Sequence, residues 1–131
     1  MDVTPIIDTL NSAQRDAVTH TSNHLLVLAG AGSGKTRVLV HRIGWLVRVE
    51  HVAPHAILAV TFTNKAAREM RERVQEMLGS SPRGMWVGTF HGLAHRLLKA
   101  HWHEAKLPEN FQILDADDQL RLLKRIYRNL G

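Results

Sequence analysis

The chain contains no cysteine. That absence removes disulfides, thiolate metal sites and cysteine nucleophiles, and it fits a reducing compartment. No apolar stretch approaches the roughly 20 residues that a membrane-spanning helix requires. The start, Met1-Asp2-Val3-Thr4-Pro5, carries acid where a signal peptide carries base, so a cytoplasmic protein with no membrane partner is expected. Acid is also scarce where base gathers. Between Asp16 and Glu69 the only acidic residue is Glu50, against Lys35, Arg37, Arg42, Arg48, Lys65 and Arg68. Over the whole chain 17 Lys and Arg face 12 Asp and Glu, a net charge of +5. The total favours polyanions weakly, but the local skew suits nucleotide, nucleic acid or both.

The segment at the centre of that skew is a glycine-rich loop, Ala29-Gly30-Ala31-Gly32-Ser33-Gly34-Lys35-Thr36. It follows the apolar run Leu25-Leu26-Val27-Leu28 and precedes a helical pattern. A triphosphate needs backbone N–H donors around it, and Gly30, Gly32 and Gly34 let the backbone curl that closely. Lys35 would reach the β- and γ-phosphates, and the Thr36 hydroxyl would ligate Mg²⁺, with the helix N-terminus adding its positive dipole end. ATP and Mg²⁺ are therefore the expected cofactors, with Lys35 and Thr36 the candidate catalytic residues. Against the pattern G-x-x-x-x-G-K-[ST], Ala29 differs by one methyl group.

At 131 residues, with 44% hydrophobic and 22% charged, the chain is expected to form one ordered domain. Asn11 can cap a helix to about His20, with Ala13, Ala17 and Val18 inward. Residues 24–28 read as a first strand, buried on both faces because its apolar residues do not alternate. A helix from Lys35 to about Val49 turns Leu39, Ile43, Leu46 and Val47 toward the sheet. Ile57 to Phe62 reads as a second strand. Asn64 is placed to cap a helix over 65–78 with Gly79 at its end, and Glu69 and Arg73 are spaced to pair. A third strand at 85–88, a helix from Phe90 to about Glu104, an extended 111–114 and a helix capped by Asp115 complete the pattern. Alternating strands and helices imply a parallel sheet, with polar segments gathered at the strand ends.

Asn11-Ser12-Ala13-Gln14, the loop with Arg37, Ala59-Val60-Thr61-Phe62-Thr63-Asn64-Lys65-Ala66-Ala67, and Val87-Gly88-Thr89-Phe90-His91 occur in this order. Together they resemble the superfamily 1 DNA helicases of the UvrD/Rep/PcrA group, over essentially the whole chain. The resemblance implies a P-loop NTPase (RecA-like) α/β fold, here an incomplete parallel sheet flanked by helices. It assigns residues 1–110 to the start of the first motor domain (1A) and 111–131 to the beginning of an inserted helical subdomain (1B). It makes Gln14 the adenine reader, Arg37 the arginine that stacks on the base, and Arg73 a further nucleotide contact. Thr61, Phe62, Thr63 and Asn64, with Thr89, Phe90 and His91, become the DNA contacts. The implied partners are single-stranded DNA, duplex junctions and, in a full-length protein, DNA repair proteins.

ATP hydrolysis also needs a carboxylate to hold Mg²⁺, another to position water, and a cation on the leaving phosphate. None of these can be placed here, since Asp115, Asp117 and Asp118 read as a helix start. In the resembling family they lie beyond the span matched here, so the chain is expected to be the N-terminal piece of a larger helicase. A small P-loop kinase and an ATP-independent single-strand-binding module also remain open. The kinase would need an acceptor site and a lid with arginines.

Overall fold

A computed structural model describes residues 2–21 and 24–131. They form two compact units, 1–93 and 94–131, with the division inside one helix.

In the first unit, helix α1 (Thr4–Ile7) has proline at its start, and Asp2 accepts a hydrogen bond from the Thr4 N–H at 2.9 Å. The contact with Thr4 holds the Asp2 carboxyl below its usual range. Helix α2 (Ser12–Thr19) begins with a reciprocal cap. The Asn11 side chain accepts from the Gln14 N–H at 2.8 Å, and the Gln14 side chain accepts from the Asn11 N–H at 3.1 Å. Val18 is fully buried, whereas Ala13 is exposed.

Helix α3 (Lys35–Arg48) is covered on two sides. Val40 and Ile43 join Met70, Val74, Ile57, Met85 and Val87 in the larger core cluster. Val38 and Trp45, one helical face away, pack on Ile6, Leu10 and Val18. His41 lies on the same face as Val38 and Trp45, is buried, and bonds the Ile6 carbonyl through Nδ1. The expected inward stripe holds at Ile43, Leu46 and Val47 and fails at Leu39, which is 49% exposed, and the helix has a second packed face that the stripe does not include.

A 3₁₀ turn (Pro54–Ala56) leads to strand β1 (Leu58–Thr61), helix α4 (Asn64–Leu78), strand β2 (Trp86–Thr89) and helix α5 (Phe90–Ala100). The strands pair in parallel, with Leu58 opposite Trp86 and Thr61 opposite Thr89. Helix α4 is thus the crossover of a βαβ unit, and its Ala67, Met70 and Val74 are buried. Its N-cap is Thr63, not Asn64: Thr63 has extended backbone and its hydroxyl accepts from the Ala66 N–H at 3.1 Å. Gly79 ends the helix in the left-handed conformation, φ 69°.

The expected strand at 24–28 does not form. Among the described residues the sheet has two strands, and Leu25, Leu26, Val27 and Leu28 are exposed. A strand exists only through a ladder, and a strand buried on both faces needs neighbours and covering helices that this segment does not meet here.

In the second unit α5 stops at Ala100, short of the expected Glu104, and turns follow over 101–106. The His95 and Phe111 rings meet edge-on at 5.7 Å. Helix α6 (Ala116–Leu130) starts at Asp115, whose carboxylate accepts from the Asp118 N–H at 2.8 Å. No described helix is long and apolar enough to cross a membrane.

Candidate nucleotide loop and nucleic-acid interface

The loop at 29–36 turns directly into α3. Gly32 and Gly34 have φ of 72° and 84°, a region costly for any residue with a Cβ. A Cβ on Gly34 would also lie 2.9 Å from Gln14 Nε2, whereas one on Gly30 or Gly32 would meet nothing within 4 Å. Glycine is thus favoured at 34 by its backbone, since the Gln14 amide ends a flexible side chain that can shift aside. At 32 the backbone alone demands it, and the space beside 30 and 32 is open.

The Val38 N–H bonds the Gly34 carbonyl at 3.0 Å and closes the first turn of α3. The N–H groups of Lys35, Thr36 and Arg37 precede that bond and have no intrahelical acceptor, so they carry the positive end of the helix dipole. Lys35 Nζ donates to the carbonyls of Ala29 at 3.2 Å and Gly30 at 2.9 Å, which folds the ammonium back over the loop. The Ser33 hydroxyl donates to Gly30 O at 2.6 Å and braces the turn. Open space, unpaired donors and an anchored ammonium together fit a chain of phosphates. Thr36, exposed in the first turn of α3, offers one hydroxyl oxygen of the hard type Mg²⁺ takes.

Gln14 Nε2 donates to Ser33 O at 3.3 Å, so the expected adenine reader is attached to the phosphate loop. The Arg37 guanidinium donates to the Thr9 carbonyl at 3.0 Å. Arg37 and Arg73 line one cavity of about 450 Å³ together with Thr9, His41, Glu76 and Met77. The expected Glu69–Arg73 ion pair does not form. Ion pairs do form between Arg42 and Glu50, His101 and Glu104, and Arg121 and Asp118. Sequence reasoning overlooked His41, although its spacing of four from Arg37 puts both on one helical face. The Thr9 carbonyl had no signal at all, because it contributes backbone.

The other expected residues gather at the ends of the parallel strands. Register sets Thr61 beside Thr89, and the rings of Phe62 and Phe90 follow at a centroid distance of 5.5 Å. Both rings face solvent: Phe62 is 89% exposed and Phe90 58%. An aromatic at a strand end is ordinarily core, so this exposure is informative. Thr61 and Thr89 are half-buried, and Thr63, Asn64 and His91 are exposed. Three hydroxyls are already used within the fold. Thr61 donates to Thr63 O at 3.1 Å, Thr63 caps α4, and Thr89 accepts from the Gly92 N–H at 3.1 Å. The Asn64 amide, released from capping, makes no hydrogen bond among the described residues.

A family model described as UvrD/REP helicase N-terminal domain matches residues 10–130. DNA helicase II of Escherichia coli (strain K12) is 65% identical over 131 residues, 100% of this chain and 18% of that protein. DNA helicase II of Haemophilus influenzae is 55% identical over 132 residues, 98% of this chain and 18% of its own. ATP-dependent DNA helicase PcrA of Bacillus subtilis is 50% identical over 123 residues, 94% and 17% of the respective chains. The chain belongs to the UvrD/REP helicase family. It spans about 18% of the length of these relatives.

Proposed function

We propose that the chain is the ATP-binding start of a P-loop (RecA-like) DNA helicase that moves 3′ to 5′ on single-stranded DNA and opens duplex at junctions. Residues 1–110 open the first motor domain and 111–131 begin an inserted helical subdomain. The observation that carries this reading is the hydrogen bond from Gln14 to Ser33, which joins an amide able to match a purine edge to a phosphate cradle. Names of relatives support it: one is called DNA helicase II and another an ATP-dependent DNA helicase.

In this reading Ala29 to Thr36 wrap the phosphates, with Lys35 on the β- and γ-oxygens. Thr36 holds Mg²⁺, Gln14 reads adenine, Arg37 stacks on it and Arg73 closes the same cavity. Bound Mg-ATP supplies the free energy of phosphoryl transfer. Thr61, Thr63, Asn64, Thr89 and His91 bond phosphates while Phe62 and Phe90 take base faces. The acids and arginines of hydrolysis come from the rest of the protein, which works in the cytoplasm with mismatch and nucleotide excision repair partners. The 131 residues alone bind nucleotide weakly and do not unwind.

Isothermal titration of Mg-ATP into the chain, with and without a single-stranded oligonucleotide, tests the proposal. Saturable 1:1 binding of ATP in both titrations is expected. Oligonucleotide binding with no response to Mg-ATP would instead favour the ATP-independent module.

A further inference from the structure

Among the described residues His41 is the one polar side chain that is buried. A buried polar group is tolerated only when it is bonded, and this ring meets the requirement at the Ile6 carbonyl. A carbonyl oxygen only accepts, so Nδ1 carries the proton and donates it. Ile6 lies in the last turn of α1, where carbonyls lack helical donors, so the bond pins the end of that helix to α3.

Three residues further along, the Thr9 carbonyl accepts from the Arg37 guanidinium at 3.0 Å. Arg37 stands four residues before His41 on α3, so two side chains of one helical face hold the same short stretch of chain. Between the two anchored carbonyls the chain is turned by the Leu10 N–H on Ile7 O at 3.1 Å, and Leu10 is itself buried. The two anchors differ in exposure. His41 is buried and Arg37 is open to solvent, yet both line the cavity that also contains Arg73. A long exposed arginine samples many rotamers, and a fixed acceptor narrows them before a ligand arrives.

We propose that His41 is a positioning residue for base recognition: its bond to Ile6 fixes the Thr9 carbonyl, which in turn holds the Arg37 guanidinium in place for the base of a nucleoside triphosphate. This rests on the reading of Arg37 and the glycine-rich loop as nucleotide contacts. The phosphate contacts of residues 29–36 do not pass through His41, so its loss should separate affinity for the base from affinity for the phosphates.

The test is calorimetric titration of the 131-residue chain with Mg-ATP and, separately, with Mg-tripolyphosphate, which offers phosphates without a base. His41→Phe keeps a ring and removes the donor. It should weaken Mg-ATP by about 3- to 10-fold, the worth of one net hydrogen bond, and leave tripolyphosphate within about twofold of the parent. His41→Asn, whose amide nitrogen stands near the place of Nδ1, should restore most of the ATP affinity. In an Arg37→Ala background, adding His41→Phe should weaken ATP no further. Equal losses for the two ligands, no restoration by His41→Asn, or a full additional loss in the Arg37→Ala background would each reduce His41 to a support of the fold. Unchanged ATP affinity in His41→Phe would overturn the positioning role alone, whereas a parent chain that binds neither ligand would overturn the nucleotide reading with it. Thermal unfolding checks that His41→Phe is folded. If it is not, the His41 Nδ1–H resonance of the parent chain decides: a shift with Mg-ATP and none with tripolyphosphate supports the role, and any other pattern contradicts it.

Discussion

Lys35→Ala is expected to weaken Mg-ATP binding by about 10- to 100-fold while leaving the thermal midpoint nearly unchanged. The ammonium is exposed and its partners are the Ala29 and Gly30 carbonyls, so its removal strips no apolar contact from the core. Those carbonyls stay solvated, which keeps the stability cost small. With phosphates bound, the same ammonium would make charge-assisted bonds of about 1.5–3 kcal/mol, and about 1.4 kcal/mol is a factor of ten. Calorimetric titration of both proteins reads the difference. Equal affinity for Mg-ATP would mean that the loop does not hold the phosphates as described.

Phe62→Ala and Phe90→Ala should each weaken single-stranded DNA by about 5- to 100-fold, since stacking on an aromatic is worth about 1–3 kcal/mol per base. The two losses should not simply add. The rings touch at 5.5 Å, so removing one frees its neighbour to tilt, and the double variant should lose less than the product of the single losses. Phe62 is 89% exposed, so a large drop in stability is not expected to accompany the loss. Anisotropy with oligothymidine measures the affinity, and thermal unfolding controls for the fold. Unchanged binding in the double variant would remove these rings from the interface.

Much of this architecture could be read locally. The Asn11 cap, the Asp115 cap and the glycine at 79 are settled by residues within a few positions, and the structure has them where the sequence implies. Features that depend on distant partners were not legible. Residues 24–28 have the composition of a buried strand, but composition cannot supply the neighbours that make a ladder. The inward face of α3 was read correctly at Ile43, Leu46 and Val47, but its second face, covered by α1 and α2, is recorded by no single periodicity. Thr63 took the cap from Asn64 since either side chain suits an N-cap, and the end of β1 decided between them. At the candidate site the loop and strand-end motifs were visible as residue types. The exposure of Phe62, the attachment of Gln14 to Ser33 and the cavity shared by Arg37 and Arg73 required tertiary packing.

The central claim is that one chain carries a triphosphate cradle at residues 29–36 and a DNA-contacting edge at 61–64 and 89–91. Amide hydrogen exchange on the 131-residue chain tests it directly, because ligand contact slows exchange where it occurs. Mg-ATP should protect the amides of Gly32 to Arg37, and oligothymidine should protect 61–64 and 89–91. Protection by Mg-ATP confined to segments outside the loop, or by oligothymidine outside both strand ends, would contradict the account.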